Sequence, residues 1–332
     1  MPDGMDQTAS RPMSAPGSSS RTVHDLTPEA LHYAWDNSLA PALEVEPGDT
    51  VVLHVRDASD EQIREQSSAE DVGTLDFTRV NPVCGPVFVK GAKPGAVLAV
   101  ELLEFQPKGW GWTAIIPGFG LLADEYPEPW LRISQVEGQR VRFSERVTLP
   151  FRPFPGTLGV ALPEPGAHSI VPPSRFGGNL DVKHLTQGTT VYLPIGVEGA
   201  LFSLGDTHAA QGDGEVCGTA VETTMEVVAR LSVRQDLRLH APAADLPAGP
   251  VEAREGSPHH LCLGVGPDLM DATRDAVRAT IAWLGDEHGL DREEAYALAS
   301  VACDLRIHEV VDAPNWVVGC SIPLSIFEGA TR

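Results

Sequence analysis

Between residues 23 and 240 the apolar positions alternate with polar ones or gather in short continuous runs, each run bounded by glycine or proline. Residues 50–56 (TVVLHVR) and 97–105 (VLAVELLEF) both follow a Pro-Gly pair, Pro47-Gly48 and Pro94-Gly95. Proline presets the turn and glycine accepts its positive φ, so both runs read as strands launched from tight turns. A third run, 189–197 (TTVYLPIGV), follows Gly188, and residues 219–233 (TAVETTMEVVARLSV) place β-branched side chains at strand spacing. Many short strands in a chain with 28 prolines and 32 glycines predict a β-sandwich.

The helical period appears late. Asp268 is placed to cap a helix whose apolar side runs through Leu269, Ala272, Ala276, Thr280 and Leu284. Asp291 with Glu294 makes a capping-box pattern ahead of Ala295, Leu298 and Ala302. Two strand-like runs, 304–310 and 316–322, follow around Pro314 and Asn315 and close a smaller unit with these helices. The expected organisation is a tail over residues 1–22, a β-sandwich core over 23–240 and an α+β unit over 241–332. Proline-rich stretches at 241–250 and 252–258 mark the seam.

Composition narrows the possible partners. The formal charge of -22 repels phosphate backbones and anionic membrane faces, which excludes nucleic acid and membrane surfaces as natural partners. A small neutral substrate meets no such barrier. Five cysteines without a C-x-x-C pair suggest a reducing, cytoplasmic setting rather than a disulfide scaffold. There is no run of the ~18 apolar residues that a membrane span needs.

Chemistry is concentrated between Gly177 and Glu222, in GGNLDVKHL, GDTHAAQGDGEVCG and VET. Glycines here favour a shaped loop over a helix. Asp206 and His208 stand two residues apart on a strand-like run, and Asp213 and Glu215 repeat that spacing, so each pair is expected to converge. One histidine among several carboxylates is a ligand set for a divalent ion: Zn²⁺ if imidazole dominates, Ca²⁺ or Mg²⁺ if oxygen does. Read without the rest, the glycine-aspartate text would serve an exposed acidic turn, and Asp181 with His184 a helix entry and a surface histidine.

The stretch GGNLDVKHLTQGTTVYLPIGVEGALFSLGDTHAAQGDGEVCGTAVET resembles the hallmark segment of the acetamidase/formamidase family almost without a break. HYAWDNSLAPALEVEPGDTV, VNPVCGPVFVKGAKPGAVLAVEL, IIPGFGLLAD, FPGTLGVA and DLRIHEVVDAPNWVVGCSIPLSIF agree, in family order, over residues 32–327. The resemblance implies a jelly-roll-like β-sandwich joined to a smaller α/β portion, hydrolysis of formamide or acetamide to acid and ammonia, and a divalent metal. Cys84 stands where threonine or serine is expected.

On this reading Asp206 and His208 are ligands of a divalent ion, zinc before calcium, with Asp181 or His184 completing the shell. Asp213 or Glu215 is the general base, and Asn179 polarises the carbonyl. Trp35, Phe119 and Trp110 are candidates for the pocket wall. Asp36 is a substrate contact or a turn cap. Two alternatives remain open: Cys217 as a thiolate nucleophile, and a non-catalytic sandwich that binds an ion and a partner through the same loop. A homo-oligomer is the expected state.

Overall fold

The computed structural model describes residues 22–247 and 258–327. The expected tail therefore lies outside the described residues, apart from Thr22. The fold is mainly β. A nine-stranded sheet runs in the order Val23–Leu26, Thr50–Val55, Met225–Arg234, Val97–Pro107, Thr190–Pro194, Ala243–Leu246, His259–Gly266, Trp316–Pro323 and Asp304–Glu309. A six-stranded sheet orders Gly177–Asn179, Phe154–Val160, Phe202–His208, Val83–Val89 and Leu31–His32, with Leu43–Val45 also pairing on Val83–Val89.

The two sheets enclose one core, in which Leu53, Leu98 and Val227 of the first join Val87, Leu158 and Phe202 of the second. Each of these side chains is completely buried. Burying a large aliphatic side chain stabilises a fold by about 1.5–3 kcal/mol, so this shared layer fixes how one sheet sits on the other. Alternation is visible where one face of a strand meets the core. Met225–Arg234 buries Met225, Val227, Ala229 and Leu231 and leaves the residues between them half-buried.

Both Pro-Gly turns launch strands as expected, at Thr50–Val55 and Val97–Pro107. The run 219–233 is different: the strand of the large sheet begins only at Met225, because Glu222 and Thr223 bond instead to the backbone of Trp112 and Thr207. At the expected seam, residues Ala243–Leu246 form a strand paired with Thr190–Tyr192 on one side and His259–Cys262 on the other, so the large sheet includes strands past residue 240. Tertiary pairing here overrides the local proline-rich composition.

Leu269–His288 is a helix capped by the Asp268 carboxylate, which accepts from the Asp271 N–H; it buries Ala272, Ala276, Thr280 and Leu284. Gly289 ends it in the left-handed conformation at φ 67°. Arg292–Ala302 forms the second helix. The side chain of Glu294, the other half of the expected capping box, lies outside the described residues.

A four-stranded sheet, built on Trp110–Ile115 and Trp130–Glu137, stands apart from the two large ones. Trp112 and Ala114 from its first strand, with Ile116 just after it, pack with Ile63 and Val72 in a separate small cluster. Glu222 exchanges backbone hydrogen bonds with Trp112 and forms a bridge to His208. With Thr223, which bonds both Trp110 and Thr207, Glu222 ties the small sheet to the six-stranded one, and the site forms at the junction.

Candidate active site

His208 ends the fully buried strand Phe202–His208 and is itself 0% exposed. Its Nε2 lies 3.2 Å from Asp206 Oδ1, 3.1 Å from Glu222 Oε2 and 4.0 Å from Glu215 Oε1. On the other side of the ring, Nδ1 meets Gln211 Oε1 at 2.7 Å and lies 3.8 Å from Asp181 Oδ1. Gln211 in turn donates to the Asp181 carbonyl, which holds the loop against the strand. Two sets of candidate ligand atoms share this histidine: Asp181, His208 and Glu215, and Asp206, His208 and Glu222.

Three more buried polar residues adjoin this cluster. Asn179 donates to Asp312 Oδ2 at 2.5 Å and receives hydrogen bonds from Thr157 and Asn81. Glu309 accepts from the backbone N–H groups of Val311 and Asp312. Asp181, Asp206, Glu215, Glu222, Glu309 and Asp312 are all less than a tenth exposed.

The backbone is bent to bring these groups together. Asn81, Asp181, Asp206 and Glu215 have φ of 53°, 49°, 52° and 47°, in the left-handed region that most side chains avoid. They are four of the eight such non-glycine residues among those described. Gly156 makes the approach possible: a Cβ there would fall 2.5 Å from Asp181 Oδ1, 2.6 Å from Asp206 Oδ2 and 2.7 Å from His208 Cε1.

Charges packed this closely shift one another. Burial first, then Asp206, pushes Asp181 well above the usual carboxylate range. Burial and Asp181 do the same to Glu215 and to Asp312. Burial lifts Glu222 and Glu309 to about 7. Burial also disfavours a charged His208, but Glu222 and then Asp206 outweigh it and hold the imidazole well above its usual value. For Asp206 burial is likewise outweighed, chiefly by His208, and its carboxyl stays below the usual range.

This donor set fits a divalent cation. Both Asp181 oxygens, Glu222 Oε2 and Glu309 Oε2 are buried without a hydrogen-bond partner, and buried acceptors of this kind are costly unless something satisfies them. A pH dependence follows for chelator-treated protein. Glu222 and Glu309 titrate near 4.5 when unfolded and about 7 when folded, so the fold holds protons that the unfolded chain has released. Stability should therefore fall as pH rises from about 4.5 to 7, and a bound cation should flatten that slope. Melting temperatures measured with and without chelator check this; a stability rising across the window would contradict it.

The structure sorts the sequence-predicted residues. Asp181, Asp206, His208, Glu215 and Asn179 come together. Asp213 and Glu215 do not converge: Gly214, at φ 95°, and Glu215, at φ 47°, turn them apart, and only Glu215 lines the pocket. Asp213 instead faces Lys183 at 2.8 Å and His308 at 3.4 Å. His184 stands with Asp213 and His308 in a separate group. Trp35 is buried with Val83 and Ile170, away from the pocket. Asp36 is a turn cap, accepting from the Ser38 N–H at 2.8 Å and hydroxyl at 2.7 Å. Phe119 lines the pocket, with Trp112 in the place expected for Trp110.

Glu222, Glu309 and Asp312 were absent from the sequence-based site. Glu222 sits in the VET already noted as part of the polar cluster. Glu309 and Asp312 belong to the late HEVVD segment, whose only signal was two acids in an otherwise apolar strand-like run. The cavity above the carboxylates has a volume of about 210 Å³; Trp112, Ile116, Phe119 and Phe77 wall it, over a floor of Asn179, Asp206, Glu215, Glu222 and Asp312.

Comparison with known proteins agrees over about nine-tenths of the chain. A crystal structure of an acetamidase from Bacillus halodurans superposes with a TM-score of 0.84 at 31% identity, covering 93% of this chain and 100% of that one. An acetamidase from Yersinia enterocolitica gives 0.83 at 33% identity, over 93% and 94% of the two chains. A formamidase from Methylophilus methylotrophus is 27% identical over 372 residues, covering 90% of this chain and 89% of its own. The description of the acetamidase/formamidase family matches residues 19–167 and 162–329. With a matching fold, a family match over nearly all of its length and these relatives, the chain belongs to the acetamidase/formamidase family.

Proposed function

We propose that this protein hydrolyses short aliphatic amides, formamide and acetamide among them, to the carboxylic acid and ammonia. The observation that carries the reading is the small apolar-walled cavity closed at its floor by Asn179, Asp206, Glu215 and Glu222. The names of the similar acetamidases and formamidase supply the reaction type. Asp206, His208 and Glu222, with Asp181, would hold a divalent ion. When bound, such an ion polarises a carbonyl and acidifies water, so hydrolysis needs no covalent intermediate.

The chain's own residues do the rest. Glu215 reaches the cavity, where its carboxylate is placed to take a proton from water and pass it to the departing nitrogen. Asn179 is fixed by Asp312 and Thr157, so its amide is preset to orient the substrate. Trp112 and Phe119 exclude bulk water, which strengthens every polar contact below them. We take the ion to be zinc, because His208 supplies nitrogen; calcium is the alternative favoured by the surplus of oxygens. Elemental analysis separates the two.

The charge of -22 and five free cysteines support a neutral substrate and a cytoplasmic, reducing setting. No helix among the described residues is long and apolar enough to cross a membrane. A homo-oligomer remains part of the proposal, and light scattering on the purified protein tests it. The function itself is tested by ammonia release from a panel running from formamide to butyramide. No release from any of them by metal-loaded protein would refute the reading and favour a non-catalytic binding protein.

Cys217 is not needed. Its Sγ contacts are the Ala114 carbonyl at 3.7 Å and the Thr219 carbonyl and hydroxyl at 3.4 and 3.8 Å, and it does not line the cavity. Cys217→Ser should keep most of the turnover. Complete loss in a folded variant, with a trapped acyl adduct, would make the thiol the nucleophile.

A further inference from the structure

A second group of ligand-type side chains lies outside the cavity. His184, Asp213 and His308 each offer one atom, and those atoms lie within 4.8 Å of one another. His308 is 1% exposed, yet neither of its ring nitrogens has a hydrogen-bond partner, and Asp213 Oδ1 is equally unpartnered. The two imidazole rings meet edge-on, with centroids 5.3 Å apart.

We propose that His184, Asp213 and His308 form a second metal site, for a borderline transition ion such as Zn²⁺, distinct from the carboxylate cluster around His208. His308 Nδ1 and Asp213 Oδ1 face each other at 3.4 Å. Two ligands of a tetrahedral zinc with bonds of about 2.0–2.1 Å stand roughly that far apart.

The neighbouring cations decide which ion fits. Lys183 Nζ lies 2.8 Å and Arg306 Nη1 3.6 Å from Asp213 Oδ2, which leaves Oδ1 for a metal and makes the surroundings positive. Ca²⁺ or Mg²⁺, held by charge and oxygen, is disfavoured there; an ion held by imidazole coordination is not. Gly319 leaves room for the ring, since a Cβ at that position would fall 2.3 Å from His308 Nε2.

The position suggests what the ion would do. The Gly214 N–H donates to the His308 carbonyl at 2.9 Å, so the loop carrying Asp213 and Glu215 already leans on the strand Asp304–Glu309. A metal joining Asp213 to His308 would clip that loop in place and so steady Glu215.

The test counts bound Zn²⁺ by equilibrium dialysis and elemental analysis in wild type, His208→Ala, His308→Gln and the double variant. Turnover is not the readout, so the outcome is independent of the amidase reading. His308→Gln should bind about one equivalent less than wild type, and the double variant one less than His208→Ala. Co²⁺ added to His208→Ala should give visible absorption of a nitrogen-ligated ion that the double variant lacks. Equal Zn²⁺ counts with and without His308 in both backgrounds would overturn the proposal. If His308→Gln does not fold, His184→Gln, at the more exposed of the two histidines, supports the same comparison.

Discussion

Replacing His208 with alanine is expected to remove the ion of the carboxylate cluster and turnover together. The imidazole is the one nitrogen donor in that cluster, and it stands within 4.0 Å of Asp206, Glu215 and Glu222. Without it the buried carboxylates face one another, and repulsion works against the geometry that holds a cation. The loss should greatly exceed the ~10–100-fold typical of mutating an outer partner of a ligand. Taking one member out of a buried charge network also costs about 3–5 kcal/mol, so circular dichroism must accompany the assay. A folded His208→Ala protein that keeps the wild-type rate would show that this cluster is structural.

Glu215→Gln should give the opposite pairing of results: metal retained, turnover lost. Asp181, Asp206, His208 and Glu222 remain to hold the ion, and glutamine keeps the shape of the side chain but can neither take nor give a proton. The expected fall is ~10²- to 10⁴-fold in kcat, the usual contribution of a general acid–base group. KM should change little, because the Asn179 and aromatic contacts stay in place. If the metal content falls in step with the rate, Glu215 is a ligand, and the proton must be carried by another carboxylate on the floor.

Local chemistry was legible in the sequence. The Pro-Gly turns, the Asp268 cap and the closing strands follow from interactions among near neighbours in the chain, and the structure has them. Asp206 and His208 could be paired for the same reason, since strand spacing brings them to 3.2 Å. Asp213 and Glu215 have the same spacing and part company, because Gly214 between them reverses the backbone. Alternation predicts convergence only while the chain stays extended. Glu309 and Asp312 reach the site from about a hundred residues away, through the pairing of the last strands into the large sheet, and no spacing rule spans that distance. His184, one of two candidates to complete the shell of His208, stands beside the distant His308, which gave no local sign.

The left-handed conformations of Asn81, Asp181, Asp206 and Glu215 bear on how such a protein can be engineered. Each holds a side chain where folding alone would prefer glycine, and strained backbone of this kind costs about 1–3 kcal/mol per residue. Glycine at Asp181 relieves the strain and removes a buried carboxylate whose oxygens have no partner, so the cation-free fold should gain from a change that ruins the site. A selection scored only on heat resistance would then drift toward well-folded, inactive proteins, and libraries built for stability should hold these four positions constant.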